Sequence, residues 1–111
     1  MHLIAKDYQV PLGAELSARV LATEVYARQY ARIYKDIRVG SSHAVRWAGA
    51  QAWDTSFTGT HPALGPVSKV ERVAVRGSHV IVLSAEGRTN DAIAHQETIV
   101  SWFERARLAH L

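Results

Sequence analysis

From Ala14 to Tyr34 the chain runs without glycine or proline and is rich in Ala, Leu, Arg and Glu, all good helix formers. At 100° per residue, Leu16, Val20, Thr23, Tyr26, Ala27, Tyr30, Ile33 and Tyr34 gather on one stripe, with Glu24, Arg28 and Lys35 opposite. The pattern predicts an amphipathic helix over 14–34, about 31 Å long. Leu21 and Val25 fall off the main stripe, beside Arg28 and Arg32, and make a second small apolar patch. Such a patch implies a second packing partner, within the chain or in another subunit.

Beyond the helix the period changes. From His43 to Phe57 the odd positions carry Val45, Trp47, Trp53 and Phe57, while the even ones carry small or polar residues. This alternation predicts a strand with its large apolar side chains on one face. Fifteen residues at about 3.3 Å each would span near 50 Å, so a bend or bulge is expected around Gly49. Gly40 to Ser42 reads as a turn, and 58–68, with two glycines and two prolines, as a loop. The runs 69–76 and 79–86 flank Gly77-Ser78, which predicts a hairpin with a type II′ turn. Val80, Ile81, Val82 and Leu83 are apolar on both faces, as in a central, doubly covered strand. Gly87 to Asn90 turns the chain, and Thr89 or Asn90 can cap a last helix over 91–109. Its stripe is Ala92, Gln96, Ile99, Phe103 and Ala106. Residues 1–10, ahead of Pro11 and Gly13, form a short strand or an arm. The expected architecture is one α+β domain over 1–111: helix, antiparallel meander with hairpin, C-terminal helix. It would close as a two-layer or an α/β/α sandwich.

Four segments carry a resemblance: 37–40 (Ile-Arg-Val-Gly), 44–47 (Ala-Val-Arg-Trp), 73–84, spanning the Gly77-Ser78 turn, and 99–103 (Ile-Val-Ser-Trp-Phe). Their order resembles the PsbP-like family, in which a helix precedes an antiparallel meander and a C-terminal helix closes the fold. The likeness covers about two thirds of the chain and consists largely of hydrophobic spacing. It implies an α/β sandwich with a binding or accessory role. The family offers no universal catalytic residues to carry over. Helix–three strands–helix is also the order of a double-stranded-RNA-binding domain, but that module opens its last helix with a lysine-rich run. Residues 89–95 contain no lysine.

Composition narrows the classes further. Of 111 residues, 48% are apolar and 21% charged, enough to fill one core and too apolar for disorder. There is no cysteine, which excludes disulfides, thiolate metal sites and a cysteine nucleophile. Thirteen basic residues against ten acidic ones leave a net charge of +3, but the bases are spread and interleaved with acids. Few phosphates could be neutralised together, so nucleic-acid binding is expected to be weak or absent. No stretch reaches the roughly 18 apolar residues that span a bilayer. The N-terminus meets charge at Lys6 and Asp7, unlike a secretory signal. A cytoplasmic protein is the simplest expectation.

The six histidines, His2, His43, His61, His79, His95 and His110, lack the paired spacing of a metal site. Neither a metal nor a cofactor is expected, and no catalytic residue is assigned. A ketosteroid-isomerase-like cone would need an acid in an aromatic pocket. Strand parity turns Asp54 away from Trp53 and Phe57, as an exposed acid at a strand end. Tyr26, Tyr30 and Tyr34, at i, i+4 and i+8, form a stripe that serves as core or, with Trp47, as the wall of a ligand cleft. Trp47, Trp53, Trp102, Phe57, Phe103 and four tyrosines are a large aromatic load for so short a chain. The expectation is therefore an interaction domain that self-associates as a dimer, with Leu21, Val25, Trp53 and Phe57 as interface candidates. A protein partner is the other expectation; a small-molecule-binding or hydrolase/isomerase-like α+β cone is the alternative reading, and a weak nucleic-acid binder the second.

Overall fold

The computed structural model describes residues 2–10, 17–47, 49–90 and 96–105. Its centre is a five-stranded antiparallel sheet in the order β1-β5-β4-β3-β2. The strands are β1 (His2–Gln9), β2 (Lys35–Trp47), β3 (Ala50–His61), β4 (Gly65–Arg76) and β5 (His79–Arg88). One helix, α1, runs through Ala18–Val20, Leu21–Tyr26 and Ala27–Ala31, the middle segment wound as a π-helix. A second, α2, spans Gln96–Arg105. The N-terminal segment is therefore a strand, paired with β5 from His2 opposite Glu86 to Gln9 opposite His79. The predicted start of the first helix and both ends of the last, with Leu16, Ala92 and Ala106 of the two stripes, lie outside the described residues.

Each helix covers one face of the sheet, which decides the architecture as α/β/α. Ile99 and Phe103 of α2 pack on Trp47, Ala52, Ala74, Ile81, Leu83 and Ala85. On the other face Ala18 and Ala22 of α1 pack on Val73, Val75, Val80 and Val82. Val80 to Leu83 are 0–5% exposed, as expected of a strand covered on both sides. Gly77 holds φ +60°, and Ser78 is not among the described non-glycine residues with positive φ. That combination is the predicted type II′ turn.

Four sequence expectations are corrected. The stretch 43–57 is not one bent strand but a hairpin, reversed at Gly49, whose φ of +76° suits glycine. Trp47 pairs with Ala50 and Val45 with Ala52. The reversal flips the parity, so Trp47 lies on the α2 face while Trp53 and Phe57 lie on the α1 face. Gly40 to Ser42 is strand, carrying a bulge between Val39 and Ser41, and the 58–68 loop shrinks to a short turn after His61. The first helix stops at Ala31 rather than Tyr34. The carbonyl of Tyr30, one residue before the end, accepts from both the Ile33 and Tyr34 amides at 2.9 Å, and Asp36, second residue of β2, takes φ +55°.

The inward stripe of α1 also differs from the expected one. Ala18, Ala22, Tyr26 and Tyr30 face the sheet, whereas Ile33 is 50% exposed. In an ideal α-helix an i, i+4 row drifts by about 40° per step. The wider π turn drifts the other way. Alternating the two keeps four residues spaced by four in line over the sheet.

Candidate functional site

The α1 face of β4 reads Val67, Lys69, Glu71, Val73 and Val75, with every second residue inward. Glu71 is 1% exposed and Lys69 7%. Thr55 of β3 and Ser84 of β5 are buried beside them. A buried carboxylate is tolerable only with partners. Tyr30 of α1 donates its hydroxyl to Glu71 Oε2. Lys69 lies with its Nζ 3.7 Å from the centre of the Tyr30 ring. Tyr8 of β1 and Tyr26 of α1 join hydroxyls further along the same face. The π segment thus sets Tyr26 and Tyr30 down on a polar floor.

The electrostatics follow from burial. Desolvation raises the Glu71 carboxyl above its usual range, although the Tyr30 hydroxyl and the Lys69 charge oppose the shift. Desolvation lowers Lys69, against the attraction of Glu71. Tyr30 and Tyr26 are both pushed up, first by desolvation and then by neighbours, Glu71 for Tyr30 and Tyr8 for Tyr26. A small cavity of about 30 Å³ lies against Glu71, between Ala22, Ala27 and Tyr30 of α1 and Ile37, Val39, Thr55 and Phe57 of the sheet. Thr55 Oγ1, on its wall, is buried without a hydrogen-bond partner. The cavity has room for a water, which would satisfy that hydroxyl.

On the α2 face Asp54 accepts two bonds from Arg72, at 2.7 Å and 2.9 Å. It is not an exposed acid at a strand end, since β3 runs on to His61 and Arg72 stands beside it on β4. The pair raises Arg72 further, and its guanidinium sits over the Trp47 and Phe103 rings. The acid is thereby committed to structure.

The sequence-derived candidates separate in space. Tyr26 and Tyr30 belong to the polar floor, and Tyr34 packs with Phe57 and Val67 at one end of it. Trp47 is on the opposite face, so the four do not line one cleft. Phe57 is 6% exposed and stacks near Tyr30 at 5.2 Å, inside its own chain, because β3 has a neighbour on each side. The Phe57 side chain is thus spent on the core of its own chain. Trp53 is half-buried and donates its indole N–H to Ser42 Oγ at 2.7 Å. Leu21 packs partly on the α1-side core, while Val25 is 40% exposed. His61 Nδ1 accepts the amides of Ala63 and Leu64 and closes a turn. Among the described residues no group of three or more His, Cys, Asp or Glu is placed to hold a metal. No helix among them is long and apolar enough to cross a membrane. Glu71 and Lys69 escaped sequence reasoning, although their shared parity with Val67, Val73 and Val75 was a readable signal.

No family model matches the chain, and no curated protein matches it. Solved structures do. A Pseudomonas aeruginosa protein of unknown function, described as a proposed regulator, superposes with a TM-score of 0.62 at 8% identity, over 97% of this chain and 85% of that one. Cyanobacterial PsbP from Synechocystis superposes with a TM-score of 0.65 at 8% identity, over 89% of this chain and 62% of that one. The chain has a PsbP-like fold, and at such identity the likeness is of fold alone.

Proposed function

We propose that the chain is a non-enzymatic accessory domain, cytoplasmic, that works by binding and pairs with a second copy of itself along β2. The observation that carries this reading is the character of that edge. β2 is thirteen residues long, forms the outer edge of the sheet, and is exposed along nearly all of it. Edge strands are usually blunted by charge, proline or bulges. β2 is bulged only near its start, and Ser41 to Trp47 pair regularly with β3. Within Ser41–Val45 there is neither a charge nor a proline. Val39, 61% exposed, and Ile33 add apolar surface at its start. A symmetric antiparallel pairing of two such strands would satisfy the open backbone groups without opposing like charges.

The two acids within the layers offer little to a reaction. Glu71 lies under Tyr30 beside a water-sized cavity, and Asp54 is locked by Arg72. That argues against the ligand-binding cone as well. The description of one fold neighbour as a regulator suits a binding role.

Sedimentation equilibrium at micromolar concentration tests the proposal. The expected mass is twice 12.3 kDa, falling to 12.3 kDa when Val39→Lys and Ala44→Lys are combined. A clean 12.3 kDa parent would overturn it. So would a dimer untouched by the two lysines but broken by Leu21→Arg.

A further inference from the structure

Where α1 begins, it stands over the closed end of the β2–β3 hairpin, and an open cleft of about 540 Å³ lies between them. Ser17 and Arg19 border it from the helix, and Arg46, Gln51 and Trp53 from the strands. The register explains the grouping: Arg46 pairs with Gln51 and Ala44 with Trp53, which puts all three polar or aromatic side chains on the α1 face. No acid lines the cleft among the described residues. Neither arginine has an ion pair among them, in contrast to Arg72. Trp53 is fixed by its indole bond to Ser42, so a rigid aromatic wall stands beside two free guanidinium groups.

Chemically, the cleft offers donors. Two guanidiniums present planar forks that match carboxylate or phosphate oxygens. The Gln51 amide and the Ser17 hydroxyl can donate too, the latter while its Oγ accepts from the Val20 amide at 3.3 Å. An indole favours a flat apolar body against it. The volume falls in the range of small-molecule sites. We infer that this cleft binds a small aromatic oxyanion, a carboxylate or phosphate carried on a flat ring. The site lies on the face of β2 and β3 and is independent of pairing along the β2 edge.

The test is a titration followed by NMR on the Trp53 indole N–H and the arginine Nε–H signals, with phenyl phosphate, benzoate, inorganic phosphate and neutral benzamide as probes. Phenyl phosphate or benzoate should saturate with a Kd of about 1 mM or below, and the tighter of the two names the headgroup. Arg19→Gln and Arg46→Gln should each weaken it about tenfold, and Trp53→Leu should abolish the preference for a ring over inorganic phosphate. Both arginines are exposed, so their variants keep the fold intact whatever Trp53→Leu does. No saturable shift at about 10 mM of either aromatic anion, an equal response to benzamide, or unchanged affinity in the double arginine variant would overturn the inference.

Discussion

Under α2 the sheet presents Trp47, Ala52, Ala74, Ile81, Leu83 and Ala85, and the largely buried pair Asp54–Arg72 there is closed by two hydrogen bonds. Under α1 the same strands present Lys69, Glu71, Thr55 and Ser84 among their valines; Tyr30 comes down to Glu71, while Tyr26 and Tyr8 join hydroxyls beside it. The first face is held by apolar burial, which is non-directional and proportional to area. The second depends on hydrogen bonds whose partners must be present, because an orphaned buried group costs more than a made bond contributes. The α2 side therefore stabilises the fold, while the α1 side sets a particular helix position, with its π segment, at the expense of desolvated charge.

Substitutions can break this contrast in order of size. Ile81→Ala, at a fully buried site on the α2 face, should cost about 2–5 kcal/mol by urea denaturation, since the cavity is closed by sheet and helix alike. A loss below about 1 kcal/mol would deny that this face dominates. Tyr30→Phe, which conserves shape but strips Glu71 of its hydroxyl donor, should cost about 1–3 kcal/mol. The smallest effect sharpens the comparison through pH. Burial raises the folded-state pKa of Glu71 above its unfolded value. The folded chain then retains a proton that the unfolded chain has released, so this stabilisation is complete in acid and is lost as pH rises through the folded value. Glu71→Gln should remove that dependence. Its denaturation midpoint, relative to the parent, should rise as pH climbs above the usual glutamate range, and a constant difference would contradict the assignment.

How much of this was legible depended on where the signals were local. Gly77-Ser78 marks the β4–β5 hairpin because the turn chemistry sits in the two residues themselves. The β2–β3 reversal has no such mark. Alternation of large side chains continues numerically through Trp47 and Trp53, and only the pairing of Trp47 with Ala50 shows that the parity has turned over. The end of α1 was equally hidden, since no breaker follows Ala31 and the helix yields to the packing of Tyr34 on Phe57. Helical periodicity assumed 3.6 residues per turn and so put Val20 and Thr23 inside, where the π segment brings Ala22 instead. Lys69 and Glu71 share the parity of Val67, Val73 and Val75, but what makes their burial tolerable, the Tyr30 hydroxyl and ring, comes from the assembled layers and not from the strand. The PsbP-like order of elements was readable for the opposite reason: it rests on hydrophobic spacing, which the fold conserves.

The two edges of the sheet carry the same contrast into function. β1 is eight residues long and bears Lys6 and Asp7, whereas β2 is thirteen long and uncharged over Ser41–Val45. Hydrogen–deuterium exchange at low and high protein concentration measures the difference directly. The account predicts that amides within Ser41–Arg46 gain protection as concentration rises, while those of β1 do not change. Protection of Ser41–Arg46 that is independent of concentration would contradict pairing along β2.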